Sequence, residues 1–162
     1  VEENILGRRK IMAEENNEDG SLDLDKTVEI SDFFTTENET NGTWYEPIIF
    51  GVPFGLEFKV IGARSVEAEV IGELRNKEME RISLLTNEKE RAEKNKNLLN
   101  EMASKLVVGL RPAKGLTVTL HGKPITYDKA VIKEIFEKQQ IIPQLILAYS
   151  SNGANFIGKK SD

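Results

Sequence analysis

The side chains that could do acid–base, nucleophilic or metal chemistry are few and poorly placed in this chain. His121 is the single histidine, and there is no cysteine. A zinc site draws on several His and Cys ligands, so His121 alone cannot make one, and thiol catalysis, thiolate metal sites and disulfides are excluded. His121 stands beside Gly122 in a stretch of Thr and Leu and reads as a strand-end surface residue. The carboxylates lie in polar runs, where water keeps them ionised, and no pair is flanked by apolar sequence that would raise a pKa for acid catalysis. Neither G-x-G-x-x-G nor G-x-x-x-x-G-K-[ST] occurs, and the one Gly-bounded loop, Gly51 to Gly55, encloses Val, Pro and Phe. No catalytic residue, cofactor or metal ligand is assigned, and a non-enzymatic protein is expected.

The remaining chemistry is apolar recognition. Trp44, the only tryptophan, stands ten residues before Phe54, and Phe136 lies on a helical apolar face. Aromatic side chains dominate protein–protein hot spots, so Trp44, Phe54 and Phe136 are the candidate partner-binding residues. Core packing competes for each, and is the preferred reading for Phe58.

The elements that must position these residues are clearest from Gly115 to Phe156. Leu116, Val118 and Leu120 alternate with polar residues as in a half-buried strand, ending at His121-Gly122-Lys123-Pro124. Thr126 or Asp128 can cap a helix whose Val131, Ile132, Ile135 and Phe136 share a face. Pro143 opens a second helix, continued by Leu145, Ile146 and Tyr149 and stopped at Asn152-Gly153.

Upstream, Thr43 to Phe50 and Leu56 to Ile61 read as two strands of a hairpin joined through Gly51 to Gly55. Ser65 can cap a helix whose Val66, Val70, Leu74 and Ile82 recur in steps of four or eight, with Ile71, Met79 and Leu85 widening the stripe. That face must pack on something. Thr86 to Asn97 is either solvated helix surface or a link, after which Leu98, Leu99, Met102, Leu106 and Val107 restore an amphipathic helix ended by Gly109 and Pro112. The expected fold class is α+β: a disordered N-terminal arm, a β-hairpin, two amphipathic helices, then a strand and two C-terminal helices.

Residues 1–42 are expected to form a flexible acidic arm, 43–157 a single α+β domain, and 158–162 a flexible tail. Within the arm, the segment after Met12 is too poor in apolar residues to offset the entropy of ordering. Val28, Ile30 and Phe33-Phe34 are expected as a short docking strand, and Thr35 to Gly42 as a polar loop. Val1 is what a GUG start codon looks like when translated literally, and Gly7 to Lys10 can be encoded by a ribosome-binding sequence. Residues 1–11 are therefore expected to be leader, with translation beginning at Met12. The net charge of -5 arises from charges of both signs along the chain, so no nucleic-acid footprint is written in it. No apolar run spans a bilayer and no signal-peptide core is present.

In pattern, the chain resembles the tail assembly chaperones of long-tailed bacteriophages. The likeness rests on the Gly-x-Trp segment Asn41-Gly42-Thr43-Trp44-Tyr45 followed by Leu56-Glu57-Phe58-Lys59-Val60, and on a helical middle leading to Ala103-Ser104-Lys105-Leu106-Val107-Val108-Gly109-Leu110. It continues in the turn Gly122-Lys123-Pro124-Ile125-Thr126-Tyr127, an apolar helix and the closing Asn155-Phe156. Leu110 stands where a second Trp is expected. The resemblance implies a protein that binds the tape-measure protein, aids assembly of the tail-tube protein around it, uses no cofactor, works in the host cytoplasm and is absent from the mature virion. Self-association stands open. A further implication is a longer form made by ribosomal slippage near Gly158, Lys159 and Lys160, since Gly-Lys-Lys can be written GGA AAA AAG. The alternative is a structural virion protein of the head–tail connector or tail-completion class.

Overall fold

A computed structural model describes residues 29–158, and the body formed by the elements below begins at Ser31. The fold is α+β. In chain order it holds a 3-10 turn at Ile30–Phe33, helix α1 (Thr36–Asn41), strands β1 (Thr43–Tyr45), β2 (Ile48–Ile49), β3 (Val52–Pro53) and β4 (Leu56–Val60), and helices α2 (Val66–Ser83) and α3 (Glu88–Leu106). Strands β5 (Val107–Pro112), β6 (Thr119–Leu120) and β7 (Lys123–Pro124) follow, then helices α4 (Lys129–Lys138) and α5 (Ile141–Ser151) and a closing 3-10 turn at Gly153–Phe156.

The body is built on a three-stranded antiparallel sheet in the order β1-β4-β5. Leu56, Phe58 and Val60 of β4 are buried while Glu57 and Lys59 between them are half-exposed, so alternation along the strand divides core from outer face. Val107 and Leu110 of β5 join the inner side, together with Ile132, Ile135 and Phe136 of α4 and Ile142, Ile146 and Tyr149 of α5. The register shifts between Lys59 and Val60, where Gly109 and Val107 are the successive partners and Val108 is the extra residue of a bulge.

Helices α2, α3 and α4 each begin where a side chain accepts one of their free N–H groups. Ser65 accepts from the Ala68 amide at 3.2 Å, Asn87 from the Glu90 amide at 3.1 Å, and Asp128, not Thr126, from the Ala130 amide at 2.7 Å. Pro143 is the third residue of α5, still inside the first turn where its missing N–H removes no helical bond. Asn152 closes α5, its amide donating to the Tyr149 carbonyl at 3.2 Å, and its side chain caps the closing 3-10 turn by accepting from the Ala154 amide at 3.1 Å.

The structure corrects several expectations. Val107 to Pro112 is a strand of the main sheet, so Gly109 and Pro112 lie within β5 instead of stopping a helix; α3 ends at Leu106. The strand expected from Thr43 to Phe50 breaks after Tyr45, because Ile48–Ile49 pairs with Val52–Pro53 in a separate small hairpin. Leu116 is exposed, and only Thr119–Leu120 is strand there, paired with Lys123–Pro124 across the His121–Gly122 turn. Ile30–Phe33 is a 3-10 turn, not a strand, and Val28 lies outside the described residues. Thr36–Asn41 is helix where a polar loop was expected. Its Glu39 is buried, accepting from Thr35 Oγ1 at 2.8 Å and from Arg64 Nε at 3.0 Å, while its carbonyl accepts the Gly62 amide at 2.8 Å. Asn38 Nδ2 also donates to the Phe156 carbonyl at 2.7 Å, so the segment before Thr43 is fastened to the end of the body. The expected leader, residues 1–11, lies outside the described residues.

Tyr45 stacks on Tyr149 with ring centroids 4.3 Å apart. Burial, and secondarily the neighbouring Tyr149 phenol, push the Tyr45 pKa above its ordinary value near 10. Raised in the folded state, it contributes stability that is complete below the unfolded-state pKa and lost as pH rises through the folded one. Alkaline absorbance titration is expected to show one tyrosine ionising above pH ~10 that Tyr45→Phe removes, with Tyr45→Phe also flattening the fall in stability over that range. A titration unchanged by Tyr45→Phe would contradict this assignment.

Candidate functional site

The register that pairs Trp44 with Lys59 and Lys59 with Gly109 lays the indole across the outer face of the sheet, over β4. A Cβ on Gly109 would stand 3.1 Å from the far edge of the indole, so glycine at this position gives the ring its room. Arg111 stacks on the ring with its guanidinium carbon 3.9 Å from the centroid, and Lys59 Nζ lies at 5.7 Å. Arg111 is itself held by Glu57, its cross-strand partner, at 2.9 Å. Trp44 is thus half-buried under the chain's own cations, on the face opposite Phe58. Arg111→Ala is expected to cost about 1 kcal/mol of stability, in the range of a partly exposed cation–π contact. It is also expected to raise iodide quenching of the single Trp, and unchanged quenching would show that Arg111 does not cover the ring.

Phe54 and Phe136 belong to the other side of the sheet. The Phe54 ring is half-buried and lies parallel to Phe58 at 6.3 Å, while its amide donates to the Pro47 carbonyl at 2.9 Å and closes the base of the small hairpin. Phe136 is 0% exposed, 6.2 Å from Phe58. Phe54, Phe58 and Phe136 therefore form one row through the core, and the structure does not bring Trp44 together with them. Phe136 offers no surface to a partner in the folded chain, and core packing describes its place.

The sequence reading passed over the β2–β3 hairpin. Its two-residue loop, Phe50-Gly51, has φ of 50° and 79°, the double left-handed conformation that matches the twist of flanking strands and favours Asn, Asp and Gly. Phe in that conformation is strained, yet it stands at the tip 87% exposed, flanked by Ile48 at 60% and Val52 at 64%. Leu120-His121-Gly122-Lys123 makes a hairpin of the same backbone geometry, with φ of 52° and 75° at its tip. There the tip residue is polar, and His121 hydrogen-bonds Glu134 on α4. The contrast singles out the Ile48–Pro53 hairpin as an apolar finger. The signal in the sequence was the pair Phe50-Gly51 between β-branched residues, read there as a strand end.

Two other apolar features face solvent. Of the α2 stripe expected to pack on something, Ile82 is buried and Ile71 half-buried against the core, whereas Val66, Val70, Leu74 and Met79 are exposed; Ala68, outside that stripe, is the helix's other buried residue. A cleft of about 450 Å³ opens between α2, α3 and α5, lined mainly by Ala68, Ile71, Met79, Leu98, Leu99 and Leu147. His121 and Glu134 form an exposed pair, and among the described residues no three His, Asp or Glu side chains gather into a metal-holding group. No helix of the described residues is long and apolar enough to cross a membrane. Gly158 has a φ of 61° and donates its amide to the Asp32 carbonyl at 2.9 Å, while Lys159 and Lys160 of the expected slippage position lie outside the described residues. No family model matches the chain, and no curated protein or solved structure is significantly similar to it.

Proposed function

We propose that the chain is a non-enzymatic tail assembly chaperone of a long-tailed bacteriophage, binding the tape-measure protein and aiding growth of the tail tube around it. The observation that carries this reading is the apolar finger. A strained backbone conformation occupied by an exposed Phe is retained against a modest stability gain from Asn or Gly, which fits a side chain presented to a partner. An extended helical client with apolar stripes would be the kind of partner such an anchor holds. In this reading the client surface is centred on Phe50, with Ile48 and Val52 beside it and Phe54 fixing the base, and the protein acts in the host cytoplasm and leaves before the virion is complete.

Co-expression with the tape-measure protein tests it. The expected result is a co-purifying complex that keeps the tape-measure protein soluble and loses it on Phe50→Asn, together with absence of the chain from finished particles. Stoichiometric presence in purified virions would overturn the chaperone reading in favour of a connector or tail-completion component.

A further inference from the structure

Residues 31–41 lie along the body without burying an apolar side chain in it. Glu39 alone among them is buried, while Phe33 and Phe34 are 57% and 67% exposed. The bonds that fasten this segment are polar and come from separate parts of the body. The Gly62 amide donates to the Glu39 carbonyl at 2.8 Å and Arg64 Nε to the Glu39 carboxylate at 3.0 Å. Asn38 Nδ2 donates to the Phe156 carbonyl at 2.7 Å, and the Gly158 amide to the Asp32 carbonyl at 2.9 Å. Two glycines leave open the socket that holds the Glu39–Arg64 pair: a Cβ on Gly62 would run into Glu39 Cγ, and one on Gly153 into the Arg64 guanidinium. Past Gly42 the chain is held by the sheet itself. Thr43 pairs with Val60, and its hydroxyl shares a buried hydrogen bond of 2.7 Å with the Tyr149 hydroxyl. Gly42, at the boundary, has φ 84° and ψ 159°, a conformation that glycine adopts at little cost and other residues avoid.

We propose that residues 31–41 form a strap that swings off the body about Gly42 while the body stays folded, with Glu39 in its glycine-lined socket as the latch. A packed core resists local opening because opening it gives apolar surface to water. Lifting the strap exposes no buried apolar side chain of its own. The hydrogen bonds it breaks are replaced by bonds to water, and its backbone recovers conformational freedom. The closed state rests on the Glu39 carboxylate, which accepts from Arg64 Nε and, at 2.8 Å, from Thr35 Oγ1; charge-assisted bonds are the strongest the strap makes. Closed, the strap keeps Phe33 and Phe34 near Gly158 through the Asp32 carbonyl. Open, it lets them reach about 30 Å from Gly42, at ~3.3 Å per extended residue. The latch therefore governs the reach of two exposed aromatic side chains.

Hydrogen exchange of the intact chain, followed amide by amide and with no tape-measure protein present, is the test. Three successive residues decide it. The Ile61 amide donates to the Leu106 carbonyl at 3.0 Å and the Ala63 amide to the Ser150 carbonyl at 3.0 Å, both within the body, whereas the Gly62 amide between them donates to Glu39 of the strap. The Glu39 and Gly42 amides donate within the strap, to the Thr35 and Asn38 carbonyls, and a helix as short as α1 does not persist once detached. Relative to intrinsic rates, Gly62 is therefore expected to exchange in step with Glu39 and Gly42 and about tenfold or more faster than Ile61 and Ala63. Glu39→Gln is expected to speed Gly42 and Gly62 by a further tenfold or so and to leave Ile61 and Ala63 at their parental rates, since it weakens the latch and not the body. Gly62 has no left-handed φ, so Gly62→Ala fills the socket without backbone strain; it is expected to remove the protection of Gly42 and keep that of β4 and β5. A Gly62 amide that exchanges in step with Ile61 and Ala63, or a Glu39→Gln substitution that speeds all three alike, would overturn the proposal, because the strap would then open only when the whole body unfolds.

Discussion

Replacing Phe136 by Ala is expected to lower the free energy of unfolding by about 3–5 kcal/mol, a large part of the roughly 5–15 kcal/mol available to a domain of this size. Its ring is wholly buried against Phe58, and nothing in a close-packed core can move in to fill the space it leaves. The loss would reach beyond the cavity. Phe136 seats α4 against the body, and near the start of α4 the Lys129 ammonium donates to the Ser104 and Val107 carbonyls at 2.6 and 3.1 Å, while Tyr127 donates to the Val107 carbonyl at 3.2 Å. These bonds tie α4 to the junction between α3 and β5. Urea denaturation of the variant beside Phe136→Leu, which keeps most of the volume and is expected to lose less, measures the effect. A Phe136→Ala protein of parental stability that nonetheless fails to hold the tape-measure protein would show that Phe136 is a contact and not core.

The sequence made α4 and α5 legible because local rules agree there: Asp128 caps, the apolar residues recur at helical spacing, and Asn152 stops. The alternation of Leu56, Phe58 and Val60 was equally plain. Strand β5 was not, because Leu106-Val107-Val108 extends the apolar spacing of Leu98, Leu99 and Met102, and a short buried strand cannot be told from a helix end by periodicity. Helix α1 is polar throughout and has no stripe to read. It is fixed from afar, by Arg64 and Gly62 around Glu39 and by Phe156 beyond Asn38. The apolar stripe of α2 was visible, but not which of its two faces α3 would take, since the choice of Ala68 and Ile82 over Val66 and Val70 depends on the angle at which the helices meet. Trp44 shows the same limit at the candidate site. Its place over Gly109 and beneath Arg111 follows from β4 pairing with β1 on one side and with β5 on the other, partners that no local periodicity names.

Phe50→Asn is expected to move stability and binding in opposite directions. Asn visits the left-handed region far more readily than Phe, and Asn-Gly is the preferred pair for a two-residue hairpin loop, so the variant is expected to gain up to about 1 kcal/mol in stability. If Phe50 is the anchor of the client surface, the same change removes a hot-spot ring and weakens tape-measure binding by ~2 kcal/mol or more, roughly 30-fold in Kd. Most substitutions that impair binding also loosen the fold, and the two effects are hard to separate. Here a melting transition that rises while affinity falls cannot be attributed to unfolding. Phe50→Leu keeps an apolar tip and is expected to retain most of the affinity while relieving none of the backbone strain. Phe50→Asn binding as tightly as the parent would remove the finger as the contact. The contact would then have to be sought on the remaining exposed apolar surface, of which the cleft between α2, α3 and α5 is one concavity of mainly apolar lining, and Leu98→Glu there would be the next substitution to make.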